Sequence, residues 1–110
     1  MNISESKAKS EGIRFSVLDE ENLEIARATL FFMYNDLHKE PFGLLEDLFV
    51  NENHRGKGIA TSLITHIIQK AKEQNCYKLI ATSRYERERV HSLYKELGFK
   101  DYGKEFRINL

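Results

Sequence analysis

The sequence predicts a mixed α/β domain, and three observations carry that expectation. Apolar residues alternate with polar ones in IRFSVL, near the N-terminus. They recur every three to four positions in two later segments, Ile59–Ala71 and Val90–Leu97. Between these lie β-branched and aromatic runs bounded by turn residues, so the order reads β-β-β-α-β-α-β. A period of two marks a half-buried strand and a period near 3.6 an amphipathic helix.

Each element follows from its own residues. Residues 1–11 are polar and read as a disordered tail, leaving residues 12–110 as the domain. Ile13, Phe15 and Val17 share one face of a first strand. The stretch LEIARATLFFMYN is a second, paired with the first through the acidic turn Asp19–Asn22. Pro41 and Gly43 turn the chain into LLEDLFV, a buried strand that carries two acids. Ile59, Leu63, Ile64, Ile67, Ile68 and Ala71 form one apolar helix face, and YKLIAT is the next strand. Val90, Leu93, Tyr94 and Leu97 stand at i, i+3, i+4 and i+7, so a second helix ends at Gly98. The alternation of Phe106, Ile108 and Leu110 predicts one or two closing strands.

Composition narrows the function classes. A chain of 110 residues has room for one core, and 41% hydrophobic with 31% charged residues is ordinary for a soluble globular domain. No apolar run nears the ~20 residues of a membrane span, and MNISESKAKSEG lacks the apolar centre of a secretory signal. The acceptor pattern Asn2-Ile3-Ser4 is discounted on that ground, and no membrane partner is expected. Cys76 stands alone, which excludes a disulfide framework or a thiolate metal cluster and points to a reducing cytoplasm. Residues 1–54 carry eleven acids and five Lys/Arg, and residues 55–110 six and twelve, so the neutral chain divides into halves of −6 and +6. This is either scatter on a solvated surface or a basic wall for an anionic ligand facing an acidic wall for a cationic one.

The junction of strand and helix at HRGKGIA carries the chemistry. A helix N-terminus presents unpaired backbone N–H groups and the positive end of its dipole, and glycines let a phosphate approach the backbone. Arg55 and Lys57 add charge on the same turn. The P-loop pattern is absent, because no Gly-Lys-Ser/Thr follows the required gap. The dinucleotide pattern fails as well: Thr61 replaces its third small residue, and no acid ends the next strand.

The turn does resemble the R/Q-x-x-G-x-G/A signature of the GNAT acyltransferase superfamily, with Arg55, Gly58 and Ala60 in the defining places. Forty residues on, HSLYKELGF resembles the second signature of that family, and the resemblance covers roughly residues 13–110. It implies a central, mostly antiparallel sheet splayed at a coenzyme site, with two main helices. Acetyl-CoA is the implied cosubstrate, with no metal. Backbone groups of Arg55, Gly56, Lys57, Gly58, Ile59 and Ala60 would hold its pyrophosphate. Leu48, Phe49 and Val50 would pair with the pantetheine arm as an added strand does. Many members have Asn seven residues before the tyrosine; here that place is Arg87, which would meet phosphate instead.

By the same resemblance Tyr94 is the general acid for the leaving thiolate, although its place on the apolar stripe is also that of a core residue. A thiol pKa near ~8.5 and a tyrosine pKa near ~10 make that proton transfer close to balanced. Glu46, and less so Asp47, would bind or deprotonate the amine. Adjacent strand residues face opposite sides of a sheet, so only one is expected in the site. The alternative for these acids is a salt bridge to a neighbouring strand, for instance to Arg27.

The implied activity is transfer of an acetyl group to a primary amine, on a small amine, a polyamine or a protein, by direct attack in a ternary complex. A non-catalytic acyl-CoA-binding or regulatory module is the alternative. Nucleic acid is not an expected partner, since the chain is neutral overall. Members usually begin with a further strand and two helices that wall the acceptor pocket. Only a dozen polar residues stand in that place here. The resemblance therefore implies a short form whose pocket is open, is completed by a second copy in a homodimer, or is lost.

Overall fold

The computed structural model describes all 110 residues. Three antiparallel strands come first: β1 (Ser10–Leu18), β2 (Glu24–Met33) and β3 (Phe42–Val50). In the turn between β1 and β2, the Asp19 carboxylate accepts from the N–H groups of Glu21 and Leu23 at 2.8 and 2.9 Å. A 3₁₀ turn (Glu52–His54) then leads into α1 (Ile59–Glu73), followed by β4 (Leu79–Ala81) and α2 (Glu88–Glu96). The sheet order is β1-β2-β3-β4, and β4 runs parallel to β3 with α1 as the crossover.

Burial follows the alternation along β2. Ala26, Ala28, Leu30 and Phe32 face inward beside Leu45 of β3, and α1 lays Leu63, Ile64, Ile67 and Ala71 over them. These nine residues are the buried core. Each fully buried Leu or Ile contributes roughly 1.5–3 kcal/mol, so this small core holds α1 against the sheet without a large margin. On the opposite sheet face Phe31 remains 38% exposed. Leu93 and Tyr94 of α2 and its C-cap Leu97 pack at the border of the core. His91 fixes the start of that helix, its Nε2 lying 2.8 Å from the Arg84 carbonyl oxygen.

The closing strands expected from Phe106, Ile108 and Leu110 do not form. Residues 100–110 carry no regular structure and make no backbone–backbone hydrogen bond, and Phe106 is 90% exposed. Alternation prepares a segment for a sheet, but a strand also needs an edge to pair with. The free edge at this end of the sheet is β4, which is only three residues long.

Candidate active site

The site begins with a fault in the sheet. Arg27 stands opposite Phe49 and Thr29 opposite Glu46, so Ala28 alone faces the two residues Asp47 and Leu48. This is a β-bulge, and Asp47 takes a left-handed φ of 54° within it. Arg27 Nε donates to Asp47 Oδ2 at 2.8 Å and its Nη2 to Oδ1 at 3.2 Å. The same hydrogen bonds hold the Asp47 carboxyl below its ordinary range and raise the guanidinium. The bulge interrupts the pleat, so Glu46 and Asp47 line one cleft rather than facing opposite sides as the sequence predicts.

The other edge of β3 is free beside the bulge. Parallel pairing of β3 with β4 ends at Leu45 and Ala81, and beyond it no strand of the chain pairs with that side of Glu46–Val50. Into the gap opens a cleft of about 500 Å³. Leu45–Leu48 form one wall, and Thr82, Ser83, Arg84, Arg87, Val90 and Tyr94 form the other. Glu105 and Arg107 reach it from the C-terminal segment.

The glycine turn closes the end of β3. Asn51 Oδ1 accepts from Asn53 N–H at 3.0 Å and sets the 3₁₀ turn. Arg55 Nε donates to the Val50 carbonyl oxygen at 3.0 Å, tying the turn to the strand. Gly58 is the N-cap of α1 at φ 79°, with no side-chain cap, and nothing lies within 4 Å of where a Cβ would stand. The N–H groups of Ile59, Ala60 and Thr61 therefore have neither an intrahelical acceptor nor a cap. Gly56 is left-handed as well, at φ 78°. Open space, a free helix N-terminus and an unpaired strand edge together fit an anionic, strand-like ligand such as coenzyme A.

Tyr94 projects from α2 into the same cleft, its ring 5.1 Å from that of Phe99. Burial pushes its hydroxyl above the usual tyrosine range; the charge of Glu46 adds to this and Arg87 opposes it. The phenol therefore keeps its proton through neutral pH. Arg87, the N-cap of α2, lines the cleft beside Tyr94 rather than the glycine turn. Phe49 points elsewhere: it is 43% exposed, with the Arg27 and Arg55 guanidinium carbons 4.9 and 5.9 Å from its ring centre. Cys76 sits in the loop between α1 and β4, outside the cleft, and burial raises its thiol pKa.

The structure thus gathers Glu46, Leu48, Arg87 and Tyr94 in one cleft, with Arg55–Ala60 at the neighbouring turn. Thr82, Ser83, Glu105 and Arg107 also line the cleft and are not among the residues that the sequence singles out. Thr82 and Ser83 follow a strand where it leaves its neighbour, a position that carries function in parallel sheets. For Glu105 and Arg107 the sequence holds no such signal.

A family model described as Acetyltransferase (GNAT) family matches residues 4–99. The chain belongs to this family. It is 31% identical over 68 residues to a glucosamine 6-phosphate N-acetyltransferase of Trypanosoma brucei brucei, a match covering 62% of this chain and 44% of that protein. It is 29% identical over 84 residues to an aminoglycoside N(6′)-acetyltransferase type 1 of Acinetobacter haemolyticus, covering 76% and 58%. The chain spans about half the length of these two relatives. Among solved structures it resembles a Trypanosoma brucei acetyltransferase with a TM-score of 0.83 at 23% identity, over 90% of this chain and 69% of the other. It also resembles glucosamine-6-phosphate N-acetyltransferase from Arabidopsis thaliana with a TM-score of 0.80 at 18% identity, over 89% and 66%. These two likenesses show the GNAT fold.

Proposed function

We propose that this chain is an acetyl-CoA-dependent N-acetyltransferase that modifies a primary amine by direct attack in a ternary complex. One arrangement carries the reading, in a chain of this family: the unpaired edge of β3 and a protonated Tyr94 border one cleft, and an uncapped helix N-terminus stands at the turn that follows that strand. Ile59, Ala60 and the turn glycines would hold the pyrophosphate, with Lys57 adding charge. The free edge of Leu48–Val50 would pair with the pantetheine arm, as an added strand does. Bound there, acetyl-CoA supplies the activated acetyl group. Tyr94 gives its proton to the departing thiolate sulfur. Glu46 accepts the amine proton, directly or through one water, so that the nitrogen attacks as a neutral amine. Asp47 is engaged by Arg27 and is the weaker base.

The acceptor is a primary amine, with amino sugars first because the named relatives act on glucosamine 6-phosphate and on aminoglycosides. Polyamines and protein amines come next. A second copy would complete the acceptor pocket as a homodimer. A single free thiol, Cys76, suits work in the reducing cytoplasm.

The test is thiol release from acetyl-CoA across a panel of amino sugars, polyamines and peptide N-termini. Release that requires an amine supports catalysis. Tight coenzyme binding without release with any amine would refute catalysis and favour the second reading, a non-catalytic acyl-CoA-binding module.

A further inference from the structure

We infer that the Arg27–Asp47 ion pair positions the coenzyme edge: it pins the β3 bulge that leads into the free edge of Leu48–Val50. The inference rests on the acetyl-CoA reading above. Three observations meet here. Asp47 stands at φ 54°, a left-handed conformation that Asp and Asn enter more readily than other residues with a Cβ but that glycine adopts at no cost. Arg27 is the β2 residue next to the register slip, and its guanidinium grips both carboxylate oxygens of Asp47. That guanidinium also lies 4.9 Å from the ring of Phe49, the first residue beyond the bulge.

Arg55 reaches the same ring from the glycine turn, at 5.9 Å, while it donates to the Val50 carbonyl oxygen. Phe49 thus lies near two guanidiniums, one anchoring the bulge and the other anchoring the turn. The three residues whose free backbone edge would meet the pantetheine arm are held at both ends. Arg27 touches no reacting atom; it is a positioning residue. Asp47 is largely exposed, and ion pairs of that kind add little to global stability.

The test compares Arg27→Met, Asp47→Asn, Asp47→Gly and Asp47→Ala in the full chain, by amide hydrogen exchange and by calorimetric titration with coenzyme A. Arg27→Met is expected to speed exchange across residues 46–50 and to weaken coenzyme binding about tenfold, as loss of a charge-assisted pair should. The melting temperature should barely move. Asp47→Gly should bind better than Asp47→Ala, because glycine holds a positive φ without a restraint. Asp47→Asn, which tolerates that φ and keeps one acceptor, should recover most of the affinity.

Equal affinity in the glycine and alanine variants would overturn the inference. So would unchanged exchange in Arg27→Met, whatever happens to binding. Failure of the unsubstituted chain to bind coenzyme A would overturn the acetyl-CoA reading, and the positioning role with it. Normal binding with unchanged exchange would overturn the positioning role alone.

Discussion

Gly58→Glu tests the glycine turn where its geometry is most exposed. Gly58 stands at φ 79° with nothing within 4 Å of a Cβ, so a side chain there meets strain rather than a clash. The left-handed backbone costs a non-glycine residue roughly 1–2 kcal/mol. For a domain of this size each kcal/mol lowers the melting temperature by about 4–8 °C. The effect on binding is larger. A carboxylate about 4 Å from a pyrophosphate oxygen adds roughly 4 kcal/mol of repulsion at an effective dielectric of about 20. That weakens coenzyme A binding by about a thousandfold. Asn75→Ala is the control: Asn75 is also left-handed, at φ 61°, but follows the far end of the 15-residue helix α1. Both variants should melt earlier, and only Gly58→Glu should lose the coenzyme, read by calorimetry on folded protein. A Gly58→Glu protein that binds within threefold of the unsubstituted chain would show that no coenzyme phosphate sits at this turn.

Three further outcomes are expected. Tyr94→Phe keeps the ring against Phe99 and removes only the hydroxyl, so kcat should fall by roughly 10²–10⁴ with coenzyme affinity and melting temperature little changed; turnover near that of the unsubstituted protein would remove Tyr94 from the mechanism. Because its hydroxyl is held above the ordinary value of 10, any alkaline loss of rate owed to Tyr94 should begin only beyond pH ~10. On β1 and β2, hydrogen bonds from Arg14 and then Ser16 hold the Glu24 carboxyl at about 2, below its ordinary 4.5. A depressed carboxyl stabilises the fold above its unfolded value, and that contribution is lost as pH falls from 4.5 towards 2. Urea unfolding at a series of pH values across that window should show a shallower loss in Glu24→Gln; an equal slope would contradict the assignment.

Much of this architecture was legible because its signals are local and periodic. The Ile59–Ala71 stripe specifies α1, and Leu63, Ile64, Ile67 and Ala71 are the residues it buries. Gly98 ends α2 at φ 101°, the backbone that a glycine is placed to adopt. The turn RGKGIA falls where an uncapped helix begins. What could not be read depends on pairing. Nothing in LLEDLFV announces a register slip, so strict alternation sends Glu46 and Asp47 to opposite faces, whereas the bulge brings both to the cleft. The Arg27–Asp47 pair was foreseeable as one of two fates for the acids, but not its place across a bulge. Phe106, Ile108 and Leu110 carry a strand pattern, yet pattern supplies only one side of a ladder, and β4 offers three residues as the other. Glu105 and Arg107 reach the cleft through that unpaired segment, for which the sequence sets no path.

The measurement that bears most directly on the central claim is calorimetric titration of the folded chain with acetyl-CoA. Saturable binding of one acetyl-CoA per chain, abolished by Gly58→Glu and retained by Tyr94→Phe, is the predicted result. A folded protein that takes up no acetyl-CoA would contradict it, and the glycine turn would then be only a tight connection between strand and helix.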